Sequence, residues 1–156
     1  MGVGVVNESS AEVDLESLVA QGEWLIAALG LHSECELSVA LVDAHRMEQL
    51  HLEWMDEPGP TDVLSFPMDD LRAPESSTDE PPLGVLGDVI LCPEVAAAQA
   101  QTAGHSTASE YELLLTHGML HLLGHDHAEP DEHAVMFGLQ DQLLTRWRAR
   151  PTESAT

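Results

Sequence analysis

The stretch His117-Gly-Met-Leu-His-Leu-Leu-Gly-His-Asp-His127 constrains this chain more than any other. His117 and His121 are four apart, so on a helix they project from one face, one turn above the other. Gly124 follows three residues later, and a glycine just past a helical run ends the helix in the left-handed conformation. The chain then reverses, and His127 returns to the open side of the pair. Three imidazoles around one point, with a fourth position left free, are the donor set of a catalytic zinc site. Met119, Leu120, Leu122 and Leu123 make the helix mostly buried, so ring nitrogens without partners would be costly there. A structural histidine cluster is the alternative to a metal.

The same spacing resembles the extended zinc-protease motif, which carries a glutamate after its first histidine as general base. Here that position is Gly118, which can neither take a proton nor hold a water. The form HG-x-LHL-x-G-x-DH, with Pro60-Thr-Asp-Val-Leu-Ser-Phe-Pro67 and Leu86-Gly-Asp-Val-Ile90, resembles the YbeY family of bacterial endoribonucleases and rRNA maturation factors. The resemblance runs from about Leu37 to Leu144. It implies a compact α/β fold with the metal in a cleft beside the sheet. It also implies a metal-dependent single-strand endoribonuclease in rRNA maturation and ribosome quality control. Ribosomal particles, a ribosomal protein or an assembly GTPase are the partners it implies.

The residues are consistent with one domain over 1–150 and a disordered tail over 151–156. No apolar run is long enough to span a bilayer, and no basic-then-apolar leader opens the chain, so a cytoplasmic protein is expected. Cys35 and Cys92 sit in apolar runs and read as buried free thiols. Val3–Val6, Glu36–Val42, Thr61–Phe66 and Val85–Leu91 read as strands, the last interrupted at Gly87-Asp88. Helices are expected over 14–29, 43–55, 93–103, 109–123 and 130–150. Ser109 is placed as the cap of the fourth by a capping box with Glu112. Val135, Met136, Leu139, Leu143 and Leu144 form the expected buried stripe of the fifth. The 68–82 stretch reads as a long flexible loop. Four strands and about five helices predict an α/β (α+β) fold, one mixed sheet with helices packed on it.

Zinc suits three imidazoles best, although nickel, cobalt or copper would also bind. A divalent ion held by His117, His121 and His127 keeps its full charge and lowers the pKa of its water to about 7, against ~15.7 in bulk. Hydroxide is then available without a side-chain base, with His117 both ligand and part of the catalytic group. Asp126 is a catalytic candidate that orients a ligand histidine or assists proton transfer, the alternative being a cap on the turn after Gly124 or on the next helix. Asp88, in the motif the family shares, is either a partner of a ligand histidine or a turn carboxylate.

Charge complicates an RNA substrate. The chain has 28 acidic against five basic residues, a net −23, and all five are arginines: Arg46, Arg72, Arg146, Arg148 and Arg150. No basic stripe forms except at the end of the last helix, whereas phosphate backbones are normally held by one. Many relatives carry an arginine where Met55 stands, and methionine cannot clamp phosphate. Arg46 or Arg72 could replace it in space. DNA and membranes are not expected partners. A zinc hydrolase of amide bonds and a non-catalytic ribosome-assembly factor with a structural metal remain alternatives.

Overall fold

Every connection between neighbouring parallel strands needs a crossover, and the helices supply it. The computed structural model describes residues 2–76 and 79–151. In chain order the elements are β1 (Val3–Asn7), α1 (Leu15–Ala28), β2 (Glu36–Leu41), α2 (Ala44–Met55), β3 (Val63–Pro67), β4 (Val85–Leu91), α3 (Pro93–Ala103), α4 (Thr107–Leu122) and α5 (Pro130–Ala149). The sheet order is β1-β2-β4-β3. The first two pairings are parallel and β3 joins β4 antiparallel. The expected mixed four-stranded sheet with five helices is therefore present. The chain's tail over 152–156 lies outside the described residues.

Alternation along the strands sorts the two faces. Leu37, Val39, Leu41, Val89 and Leu91 point to one face, into the main core with Leu25, Leu115, Met119, Leu120, Leu122 and Leu143 of the helices. The other face is covered only in part. There Val42, Met47 of α2, Leu64 and Cys92 form a smaller cluster. Both cysteines are buried and free, and burial pushes the Cys92 thiol pKa up, away from thiolate chemistry. No helix among the described residues is long and apolar enough to cross a membrane.

Four expectations change. α4 begins at Thr107, capped by Ser106, whose hydroxyl accepts from the Ser109 N–H at 3.1 Å. A serine three residues earlier thus outcompetes the predicted box at Ser109, lengthening the helix by most of a turn. Val135 is 61% exposed and lies off the buried face of α5, which instead carries Met136, Gln140, Leu143, Leu144 and Trp147. β4 is continuous through Gly87-Asp88. A side chain on Gly87, at φ 135, would run into the Phe66 carbonyl, so glycine admits the close approach of β3 rather than breaking the strand. The described part of the 68–82 loop is pinned, because Leu71 and Ala73 pack on the main core. Asp69 Oδ2 also accepts from the Val85 N–H at 2.7 Å.

Candidate metal centre

α4 carries the first two histidines and must lie close to the sheet to place them. Gly118 makes that possible. A methyl group there would fall 2.9 Å from Val89 Cγ1, 3.1 Å from Ser65 Oγ and 3.2 Å from Val63 Cγ2. The Ser65 hydroxyl donates to the Gly118 carbonyl at 2.9 Å, tying helix to edge strand. At the far end Gly124 takes φ 92, as the sequence predicts. Its N–H donates to the His121 carbonyl at 3.0 Å and the His125 N–H to the Leu120 carbonyl at 3.0 Å, closing the last turn. The chain then doubles back.

The three histidines converge. His117 Nε2 and His121 Nε2 are 3.1 Å apart. The His127 ring centroid lies 5.6 Å from that of His117 and 5.4 Å from that of His121. One ring nitrogen from each of the three falls within 4.8 Å of the others. His117 Nδ1 lies 2.8 Å from Gln140 Oε1. An amide oxygen only accepts, so Nδ1 carries the hydrogen and Nε2 presents a lone pair to His121. Two imidazole nitrogens at that separation, one with its lone pair fixed inward, need a proton or a cation between them. Tetrahedral zinc with bonds of about 2.1 Å separates its donors by about 3.4 Å, close to the observed pair. The residues present thus fit a divalent metal.

Burial lowers the His121 pKa below its ordinary value, and the neighbouring His117 and His127 push it the same way. The ring is held neutral, as a metal ligand must be. Phe137 forms a wall, 5.6 Å from the His117 ring and 5.9 Å from that of His127. His133 stacks on the outer side of this wall, 4.3 Å from Phe137, and is itself exposed.

The two carboxylates named from the sequence separate. Asp126 sits beside His127, and its Oδ1 accepts from the His127 N–H at 2.7 Å. Asp88 is not brought to the histidines. Val89 faces Gly118, so alternation turns Asp88 to the opposite side of the sheet, where it lines a groove with Arg46, Trp54 and Phe66. Asp62 Oδ1 accepts from the Val63 N–H at 2.7 Å, fixing the start of β3. Met55 is 45% exposed at the end of α2. Sequence reasoning missed Gln140, which is only 3% exposed. A polar residue set in the apolar stripe of α5 was the signal that could have found it.

Comparison with known proteins gives one consistent result. A family model described as Endoribonuclease YbeY matches residues 5–148. A Thermobifida fusca protein named Endoribonuclease YbeY is 57% identical over 150 residues, covering 95% of this chain and 95% of its own. A Streptomyces coelicolor protein of the same name is 54% identical, covering 96% of this chain and 92% of its own. In fold, the solution structure of a Thermotoga maritima protein matches with a TM-score of 0.63 at 23% identity, covering 96% of this chain and 93% of that one.

Proposed function

The chain belongs to the YbeY family, and from that membership we infer a metal-dependent endoribonuclease that cuts single-stranded RNA in rRNA maturation and ribosome quality control. The observation that carries the reading is the convergence of His117, His121 and His127, with the His117 tautomer set by Gln140. These three histidines are the metal ligands, and zinc is the metal that a neutral three-imidazole set suits best. A divalent ion there supplies Lewis acidity toward a phosphoryl oxygen and makes water acidic enough to deprotonate near neutral pH.

The chain's own residues do the rest. Gln140 holds the His117 ring in one orientation. Asp126 anchors the backbone of His127, so its role is positioning. Phe137 packs against the His117 and His127 rings and borders one side of the site. Asp88, across the sheet, is left out of the catalytic set. Gly118 argues against an amide hydrolase, because its tight fit on Val89 and Ser65 leaves no room for the protease glutamate. Three protein donors leave coordination positions for substrate, which argues against a purely structural metal.

The functional unit in this reading is one domain over residues 1–150, with 151–156 as a tail, working in the cytoplasm on rRNA precursors within ribosomal particles. A net charge of −23 favours recruitment through a basic partner, such as a ribosomal protein, over a diffuse attraction to RNA. An assembly GTPase is the other partner class this reading admits.

The test is elemental analysis of purified protein beside His121→Ala, paired with cleavage of a single-stranded oligoribonucleotide with and without chelator. About one zinc per chain, lost in the variant together with cleavage, is expected. Cleavage that survives His121→Ala would mean a contaminating nuclease and would remove the reading.

A further inference from the structure

We propose that Arg72 grips a phosphate of the RNA strand beside the histidine site, a step that rests on the endoribonuclease reading. Its guanidinium lies against Gly124, the residue that turns the chain from His121 toward His127. A methyl group on Gly124 would fall 2.5 Å from Arg72 Cζ, 2.6 Å from Nε and 2.8 Å from Nη2. Gly124 therefore meets two demands at once: a left-handed backbone, and a surface bare enough to seat a planar cation.

The seat is built rather than incidental. Leu71 and Ala73, on either side of Arg72, are packed on the main core. Nη1 donates to Asp70 Oδ1 at 2.6 Å and to the Leu71 carbonyl at 3.0 Å. Nε and Nη2 donate to no group among the described residues, and the side chain is 57% exposed. That leaves the Nε–Nη2 edge, the one that pairs with two phosphate oxygens, without a protein acceptor among the described residues.

The other arginines are committed elsewhere. Arg146 lies over the Trp24 ring at 5.5 Å and Arg150 over the Trp147 ring at 3.1 Å. Arg148 donates to Glu112 at 3.0 Å. Arg46 lines the groove on the opposite side of the sheet. Among the described residues, Arg72 is the arginine seated on the histidine turn. In a chain carrying −23, a polyanion near the metal needs such a local cation.

The test is fluorescence anisotropy of a labelled single-stranded oligoribonucleotide with zinc-loaded protein, over a salt series. Arg72→Ala is expected to weaken binding roughly ten- to hundredfold. It should also reduce the slope of log K against log salt by about 0.7. Zinc content should not change. Arg72→Lys, which keeps the stem and the charge, is expected to fall between, and Asp70→Asn to bind more tightly. Unaltered affinity in Arg72→Ala would show that the side chain only packs on Gly124 and would overturn the proposal. If the alanine variant folds poorly, the lysine variant decides, and affinity equal to wild type would overturn the two-pronged grip. Wild-type protein that binds through Arg72 but never cuts would sink the endoribonuclease reading and leave the grip standing. Cutting that ignores Arg72 would do the reverse.

Discussion

Replacing Gln140 with alanine tests the geometry of the centre at its most specific point. Gln140 is 3% exposed and its Oε1 lies 2.8 Å from His117 Nδ1. Truncation leaves a ring N–H without a partner in a half-buried site and frees the imidazole to rotate or change tautomer. Loss of such an outer partner weakens metal binding by about 10–100-fold, or ~1.4–2.7 kcal/mol. Stability suffers separately. An unpaired polar group costs about 1–3 kcal/mol, and in a chain of this size each kcal/mol lowers Tm by about 2–4 °C. The two effects are separable. Competition against a chromophoric chelator reads zinc affinity, and melting of the metal-free protein reads stability. Gln140→Glu should restore affinity, since a carboxylate also accepts from Nδ1–H. Zinc affinity within twofold of wild type in Gln140→Ala, with Tm lowered, would show that Gln140 only packs. The tautomer argument would then be wrong.

Two further expectations follow from the same site. Gly118→Glu restores the protease-like residue but drives a carboxylate into Val89 and Ser65, with overpacking of about 1–3 kcal/mol before any burial of charge. Loss of stability or zinc without peptide hydrolysis is expected, and peptidase activity in that variant would revive the amide-hydrolase alternative. His121 has a pKa lowered by burial, so the unfolded state binds the extra proton. Its contribution to the stability of metal-free protein is therefore complete above about pH 6.5 and is lost as pH falls through the lowered folded value. A melting series between pH 5 and 8 reads this, and the His121→Ala variant should lack that part of the fall.

How far the sequence foretold this structure depends on whether the decisive interaction was local. The helix, the glycine stop and the returning histidine obey fixed spacings, and all three appear where the spacing put them. So does Pro93 at the first turn of α3. Long-range competition was not legible. Ser106 and Ser109 can both cap a helix, and only the packing of α4 chooses between them. Asp88 sits in a shared motif, yet one residue of strand register decides its face, and that register is set by β2 and β3. Gly118 reads in sequence as a missing base. In the structure it is the contact that lets α4 rest on β3. The Gln140 bond spans 23 positions, which no local periodicity can reveal.

The charge of the chain sets a last constraint. The arginines at the end of α5 looked like its one basic stripe, but Trp24, Trp147 and Glu112 hold them. Diffuse attraction therefore cannot supply RNA affinity, and a net −23 repels the strand at long range. Phosphate contacts then number about one or two, so counterion release predicts a slope of log K against log salt no steeper than about −0.7 to −1.4. Screening of the long-range repulsion acts in the opposite sense, because the Debye length shrinks from about 30 Å at 0.01 M to about 10 Å at 0.1 M. Binding of a free oligoribonucleotide should consequently be flat, or strengthen, as salt rises over that range, and weaken only beyond it. A steep monotonic fall with a slope near −5 would demand a basic surface that these five arginines do not form. It would place the main RNA contacts away from the histidine turn.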